Sequence, residues 1–180
     1  IDSSDLPLNV SREILQQNKV MAKIKSNSVK KVLDKIKTIA KNKDKYEGFY
    51  NEFGRLLKEG VYQEFEHKEA LTELLRFKST KEDGFVSLQE YVDRMGSDQE
   101  SIYYITGTNE LALRNSPLLE MYKKKDIEVL ILDDEIDEII MPSVPTFKEK
   151  SLKSVNRSGA ADELNKDDNK DKKDELKPRW

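Results

Sequence analysis

The 180-residue sequence has no cysteine, a single histidine and a single tryptophan. Without cysteine it cannot form a disulfide, a thiolate zinc site or a cysteine nucleophile, and it is compatible with a reducing compartment. The lone histidine, His67, has no second histidine or cysteine with which to share a metal ion. No apolar run approaches the ~20 residues of a membrane-spanning helix, and no signal peptide opens the sequence.

An excess of charge of one sign is also lacking, because the formal net charge is only −3. The sequence therefore has no overall basic field of the kind that attracts nucleic acid, and we predict no nucleic-acid partner. Charged residues make up 37% and hydrophobic residues 36%, which is typical of a helix-rich protein with a solvated tail. Since the sequence opens with Ile1 and not with methionine, we expect a segment of a longer protein.

Residues 5–17 join an extended apolar strip to the start of a helix. Pro7 fixes its own φ and favours an extended conformation at the residue before it. Ser11 has the character of a helix N-cap. The strip that precedes the cap alternates in apolar side chains, as a strand does, at Leu6, Leu8 and Val10.

Arg12 lies in the first turn of this predicted helix, where a cation opposes the helix dipole. Gln16 follows one turn later on the same face. Free N–H groups, a guanidinium and an amide together form a site for an anion such as phosphate. The alternative is an ordinary solvated arginine at a helix start.

The next part of the chain is predicted to be helical. Apolar residues recur with a helical period over residues 14–40, with a bend expected near residues 26–28. A second helix is predicted over residues 44–60, ending at Gly60, and a third over residues 65–77. The aromatic and leucine stripe of the second helix is predicted to be core, and consists of Tyr46, Phe49, Tyr50, Phe53, Leu56 and Leu57.

The remainder predicts an α/β unit. Ser87 and Glu90 form a capping box before a helix. Residues 102–106 and 127–132 are predicted to be strands joined by a helix that Ser116 caps, so the two strands should be parallel and covered on both faces. A short helix over residues 133–141 and a strand over residues 152–155 follow, whereas the charged residues 158–180 predict a flexible tail.

Two further features suggest ligands but have simpler explanations. The segment Gly107-Thr108-Asn109 follows a strand, yet neither phosphate-binding glycine motif occurs, so we interpret it as a turn. The acids of residues 133–138 do not have the spacing of a Ca²⁺ loop, and acids are expected in a first helical turn. We predict no metal site.

The run Leu-Pro-Leu-Asn-Val-Ser-Arg-Glu-Ile-Leu-Gln at residues 6–16 closely resembles the middle domain of the heat-shock protein 90 chaperones, in its bacterial type. Gly-Arg-Leu-Leu-Lys-Glu-Gly at residues 54–60 and Ile-Tyr-Tyr-Ile-Thr-Gly at residues 102–107 also resemble it. The resemblance implies the end of a larger α/β part at residues 1–43, a helical coil at 44–78, a small three-layer α/β/α part at 79–157 and a charged linker at 158–180.

The resemblance implies that Arg12 contacts the γ-phosphate of ATP, as a catalytic arginine, with Gln16 and Asn9 beside it. Leu6 and Leu8 would lie at the contact with a separate N-terminal ATPase domain. That domain would hold ATP and Mg²⁺, so these residues alone should bind no cofactor and have no activity.

The parent would be a cytoplasmic homodimeric chaperone of the stress response, which acts on client proteins and meets co-chaperones. A different class of function also stays open. This part of the chain would then act as a nucleotide-independent interaction module for clients or co-chaperones, through exposed apolar residues such as Leu6 and Leu8 and the helical layer.

Overall fold

The computed structural model describes residues 19–157 and residue 159. The chain divides into two compact units, Ile1–Gly48 and Phe49–Trp180, so the boundary falls within a helix. The predicted helix start at Ser11, the apolar strip before it and almost all of the charged tail lie outside the described residues.

Seven α-helices and six β-strands are found among the described residues. The helices are α1 (Lys19–Ala40), α2 (Lys43–Gln63), α3 (Lys68–Leu74), α4 (Leu88–Arg94), α5 (Glu110–Arg114), α6 (Glu120–Lys124) and α7 (Glu135–Ile140). The strands are β1 (Phe77–Ser79), β2 (Phe85–Val86), β3 (Ser101–Thr106), β4 (Val129–Leu132), β5 (Thr146–Phe147) and β6 (Lys150–Ser154). Short 3₁₀ turns occupy Pro117–Leu119 and Met141–Ser143.

The first unit consists, in its described part, of α1 and the start of α2. Helix α1 runs without a break through residues 26–28. Leu33 is its buried residue. The amide oxygen of Asn42 accepts a hydrogen bond from the backbone N–H of Lys45 at 3.0 Å, which satisfies a free donor at the start of α2.

Helix α2 continues beyond the glycine that was predicted to end it. Gly60 lies inside the helix, which ends at Gln63. A Cβ atom at Gly60 would lie 3.1 Å from Cδ1 of Leu71 in α3. The glycine therefore allows two helices to approach closely, and its helix-terminating character is overridden by tertiary packing.

The aromatic stripe of α2 was predicted to be core, and this prediction is wrong for two of its members. Tyr46, Tyr50 and Leu57 are buried, but Phe53 is 47% exposed and Leu56 61% exposed. The ring of Phe53 stacks on that of Phe49 at 5.1 Å. The apolar stripe is wider than the face that α2 buries.

A mixed six-stranded sheet forms the centre of the second unit, in the order β2-β1-β4-β3-β6-β5. Strands β3, β4 and β6 are parallel, with Tyr104 opposite Leu130 on one side and Ser154 on the other. The predicted parallel pair and the predicted α/β fold class are thereby confirmed. Both ends of the sheet are strands of two residues, β2 and β5.

The core of the second unit lies on both faces of β3 and β4, whose residues are nearly all buried. On one face, the rings of Tyr103 and Tyr122 meet edge to face at 5.0 Å. Alternate residues belong to opposite faces of a strand, so Ile102 and Leu130, both fully buried, form the other layer. Two covered faces explain the continuous apolar runs in the sequence.

The local signals of the α/β part are mostly confirmed. Ser87 and Glu90 form the predicted capping box, and Ser116 caps the segment that opens with Pro117. The crossover between β3 and β4 differs from the single helix predicted, because it contains α5, a 3₁₀ turn and α6. The β1–β2 hairpin was not predicted, since strands of three and two residues are too short to show a period.

Candidate functional site

The residues that were predicted to form the phosphate contact lie outside the described residues. This applies to Arg12 and Gln16, to Asn9, and to Leu6 and Leu8 at the predicted domain contact. Their roles stay predictions. Among the described residues, the place where open α/β sheets bind ligands is the carboxyl end of the parallel strands, and a group of charged side chains lies there.

This group, the carboxyl-end cluster, draws its members from four elements and the β4–α7 loop. Asp133 and Asp134 follow β4 directly, and Lys78 lies on β1 opposite Ile131. Asp133 is two residues beyond Ile131, so the side chain of Lys78 reaches the residues that follow β4. The full cluster consists of Lys58, Lys78, Glu110, Arg114, Asp133, Asp134 and Asp137.

Lys78 joins two carboxylates. Its Nζ lies 2.7 Å from Oδ2 of Asp133 and 2.8 Å from Oε2 of Glu110. Burial lowers the pKa of Lys78, but the hydrogen bonds and charges of Asp133 and Glu110 together raise it above its ordinary value. The hydrogen bond from Lys78, and then that from Arg114, lower the pKa of Glu110. The ionised forms of Lys78 and Glu110 are therefore both stable at neutral pH.

Arg114 completes this half of the cluster. Its Nε donates to Oε1 of Glu110 at 2.8 Å, one turn earlier on α5. Its second nitrogen donates to the backbone carbonyl of Ser79 at 2.8 Å. The guanidinium thus joins α5 to the end of β1.

Lys58 forms the buried half of the cluster. Its Nζ lies 2.8 Å from Oδ1 of Asp137 and 3.5 Å from Oδ2 of Asp134. Lys58 is 7% exposed and Asp137 1%. Burial raises the pKa of Asp137, while the nearby charge of Lys58 opposes that rise without cancelling it. Lys58 therefore compensates a carboxylate that the sheet keeps away from water.

The three cations of this cluster are each directed at carboxylates of the cluster. None is directed at an open site for an anion, so the arrangement joins α2, β1, α5 and α7 and is not built to bind phosphate. Gly107 has a packing role, because a Cβ atom there would lie 2.9 Å from Cδ2 of Leu113. Asn109 caps α5 through Ala112 N–H, consistent with a turn.

The end of β3 is also occupied by protein groups. The side chain of Asn156 accepts from Thr106 N–H at 2.9 Å and donates to the Thr106 carbonyl at 3.0 Å. In an open sheet such backbone groups are available to a ligand. Here they are used internally.

Three of the acids of residues 133–138, Asp133, Asp134 and Asp137, have structural partners. Asp134 and Asp137 form a capping box at the start of α7, in addition to their contacts with Lys58. Within residues 19–157, no group of three His, Cys, Asp or Glu side chains is arranged to hold a metal ion. His67 precedes α3 and makes no side-chain capping hydrogen bond there.

A second cluster, at the amino end of the parallel strands, was missed by sequence reasoning. This amino-end cluster consists of Ser79, Tyr91, Arg94, Gln99 and Glu128. Arg94 donates two hydrogen bonds to the Glu128 carboxylate, at 2.9 and 2.7 Å. The one available signal was a glutamate directly before the apolar run of β4, where a charge is unexpected.

The hydroxyl of Tyr91 is the centre of the remaining contacts in the amino-end cluster. It donates to the Glu128 carbonyl at 2.6 Å and accepts from Tyr103 N–H at 3.1 Å and from Gln99 Nε2 at 3.0 Å. Burial raises the pKa of this hydroxyl, so it stays protonated and can donate. The tyrosine fixes α4 to the starts of β3 and β4.

Comparisons with known proteins identify relatives over almost the whole chain. A family model described as Hsp90 protein matches residues 1–179. The chaperone protein HtpG of Treponema denticola is 56% identical over 170 residues, covering 92% of this chain and 27% of the relative. HtpG of Aliarcobacter butzleri is 58% identical over 158 residues, covering 86% of this chain and 25% of the relative.

A solved structure gives the same result for the fold. The middle domain of a Plasmodium falciparum putative heat shock protein matches with a TM-score of 0.73 and 33% identity, covering 79% of this chain and 61% of that chain. The chain thus spans about a quarter of the length of the curated relatives that it matches. No helix within the described residues is long and apolar enough to cross a membrane.

Proposed function

The chain belongs to the Hsp90 family and corresponds to a chaperone middle-domain segment, and from this premise we propose that Arg12 contacts the γ-phosphate of ATP. The nucleotide and Mg²⁺ are held by an N-terminal ATPase domain of the same protein, outside this sequence. Gln16 and Asn9 lie beside the phosphate, and Leu6 and Leu8 contact the ATPase domain.

The family match across residues 1–179 carries this proposal, because it includes the run in which Arg12 and Gln16 occur. The carboxyl-end cluster adds support, because none of its cations is directed at an open site for phosphate. Lys58, Lys78 and Arg114 are engaged with carboxylates there, so a cation for phosphate has to come from another part of the chain.

Arg12 would act through charge. As the terminal phosphoryl group passes to water, negative charge spreads over its oxygens, and a guanidinium positioned beside them stabilises that state. The same contact is lost when phosphate leaves, so Arg12 also reports whether ATP is bound.

The test is Arg12→Ala in the full-length parent, measured by ATP turnover and separately by ATP binding. Arginine fingers contribute roughly 10³ to 10⁵ in rate, so we expect hydrolysis to be lost while ATP binding survives. The matched control is Arg55→Ala, which removes an arginine whose side chain is 66% exposed in a surface ion pair. Loss of both binding and turnover, or of neither, would refute the role.

Gln16→Ala should have a smaller effect. A neutral donor to a charged oxygen contributes about 1.5–3 kcal/mol, which corresponds to a loss of roughly 10- to 150-fold in rate. A turnover rate equal to that of the parent would remove Gln16 from the site.

A second candidate function is a nucleotide-independent interaction module. The observation that favours it is a set of exposed apolar side chains on and after α2, with Phe53 47%, Leu56 61%, Tyr62 62% and Phe65 92% exposed. Exposed apolar groups of this size are suited to contact unfolded polypeptide or a co-chaperone.

The double variant Phe53→Ser/Leu56→Ser tests this second function. Binding of a reduced, permanently unfolded protein should weaken in the variant and should not depend on added ATP. Arg55→Ser/Glu59→Ser, a pair of polar changes on the same helix, serves as the control. Equal binding by both variants would exclude α2 as a client surface.

The remaining parts of the proposal concern the parent protein. We place it in the cytoplasm as a homodimer held by a C-terminal domain, acting on client proteins with ATP and Mg²⁺ as cofactors. The domain limits of the family, residues 1–43, 44–78, 79–157 and 158–180, belong to the same proposal.

A further inference from the structure

Helix α1 has a charge balance that differs from the rest of the chain. Its 22 residues contain seven lysines and one acid, Asp34, whereas the whole chain has a net charge of −3. The even balance of the whole composition therefore conceals a strongly basic helix in the first unit.

Four of these lysines share one side of the helix. Lys19, Lys23, Lys30 and Lys37 are separated by four, seven and seven residues. At 100° per residue these positions fall within an arc of about 40°, and at 1.5 Å per residue they extend over about 27 Å. All four residues are exposed. We call this set the lysine row.

The centre of the lysine row, Lys23 and Lys30, is exposed. Among the described residues, no carboxylate lies within salt-bridge distance of Lys23 or Lys30. The cations of the carboxyl-end cluster are neutralised, by contrast. A straight row of exposed lysines is complementary to a long anion of high and regular charge density.

The side chains present narrow the class of that anion. The 22 residues of α1 contain no aromatic side chain on which a base could stack and no arginine that could form a bidentate contact with a base edge. Base readout and base stacking depend on such groups, so α1 offers contacts to phosphate and none to bases. Lysine recognises phosphate as a point charge and reads nothing else.

We propose that the lysine row binds a linear inorganic polyphosphate chain lying along α1. The chain carries one negative charge for each phosphate and no bases, so it presents the one feature that this helix recognises. Each ammonium group takes a phosphate oxygen and releases condensed counterions. This site is independent of the ATP contact proposed for Arg12.

Salt dependence gives the first measurement. The logarithm of affinity falls with the logarithm of salt concentration by about 0.7 for each phosphate neutralised on a single-stranded polyanion. Four lysines predict a slope of about −2.8, which is roughly a 50-fold loss of affinity between 50 and 200 mM salt. The probe is end-labelled linear polyphosphate long enough to extend along α1, titrated with the 180-residue chain.

Two variants of equal charge distinguish the row from general basicity. Lys19→Gln/Lys23→Gln/Lys30→Gln removes three members of the row, and we expect the slope to fall to about −0.7 and the affinity at 50 mM salt to fall on the order of 10²-fold. The control removes three exposed lysines elsewhere on α1, with Lys25→Gln/Lys31→Gln/Lys35→Gln, and should retain most of the affinity. Circular dichroism checks that both keep their helix content.

Three results would overturn the proposal. Equal losses in the two variants would show that only the number of charges matters. Tighter binding of single-stranded RNA than of polyphosphate of equal charge would assign the row to nucleic acid. Equal competition by polyglutamate of the same length would show that an acidic polypeptide occupies it.

Discussion

The two ends of the parallel strands carry polar clusters of different construction. At the amino end, the Glu128 carboxylate is 5% exposed and accepts from Arg94 and from the Ser79 hydroxyl at 2.6 Å. At the carboxyl end, Lys78, Glu110 and Asp133 keep roughly a third of their side chains exposed, and only Lys58 and Asp137 are deeply buried.

The difference lies in what each cluster joins. The amino-end cluster links α4 to the starts of β3 and β4 around three buried residues, Ser79, Tyr91 and Glu128. The carboxyl-end cluster joins α2, α5 and α7 to the sheet, with carboxylates whose charge depends on their surroundings. We therefore expect the first to determine the stability of the sheet and the second to make the attachment of the helices sensitive to pH and salt.

The largest effect is expected from Glu128→Ala. Removal of this carboxylate leaves the buried Ser79 hydroxyl without its partner, whereas the Arg94 guanidinium, whose side chain is 31% exposed, can be hydrated. We expect a loss of about 3 kcal/mol, from several hydrogen bonds to a charged group. Chemical denaturation of the second unit measures the loss. A loss near that of Arg55→Ala, for which ~0–0.5 kcal/mol is expected at the surface, would show that the amino-end cluster is not structural.

Lys58→Met should have the next largest effect, and it should depend on pH. The variant leaves Asp137 without its cation, and we expect a loss of about 2–3 kcal/mol at pH 7, below the full range for a buried pair because a buried carboxylate can take up a proton. Since the pKa of Asp137 is raised above its ordinary 3.8, the folded state takes up the proton more readily than the unfolded state. The contribution of Asp137 to stability therefore falls as pH rises from its ordinary pKa to its raised pKa in the folded state.

Lys58→Met widens the pH range between these two pKa values of Asp137, because it removes the charge that opposes the rise in the folded state. The loss of stability should shrink as pH falls towards 4. Asp137→Asn in the same background should recover most of the loss, whereas additive losses from the two changes would contradict direct pairing.

Lys78→Met should have the smallest effect, about 1 kcal/mol at neutral pH, because exposed ion pairs are screened by solvent. The pKa of Glu110 is lowered, so its contribution is present above its ordinary value of 4.5 and is lost as pH falls through the folded value. The pKa of Lys78 is raised, so its contribution is present below 10.5 and is lost as pH rises through the folded value. Denaturation at low and at molar salt separates this effect, which salt should weaken, from lost packing.

Local signals in the sequence were sufficient for much of the fold. The Ser87–Glu90 capping box depends on residues three apart, and the apolar runs of β3 and β4 depend on burial of both faces, so neither needs distant information. Gly60 and Phe53 needed such information. Gly60 lies inside a helix because it packs against Leu71 of the next helix. Phe53 is exposed because α2 buries a narrower face than its composition suggests.

The carboxyl-end and amino-end clusters could not be predicted from the sequence, for a related reason. Lys58 and Asp134 are 76 residues apart in sequence, and Arg94 and Glu128 are 34 apart, so no spacing rule joins them. For the ATP contact, the sequence supplied the residues through their resemblance to a family, and the described coordinates begin after Gln16.

The narrow borders of the sheet limit how another polypeptide can pair with it. Both outermost strands, β2 and β5, are two residues long, so each offers very few open backbone donors and acceptors for another polypeptide to join. A longer free border would act as a template to which another chain could add a strand. Within this unit, another polypeptide can contact side chains, but very few free backbone groups are available for it to extend the sheet.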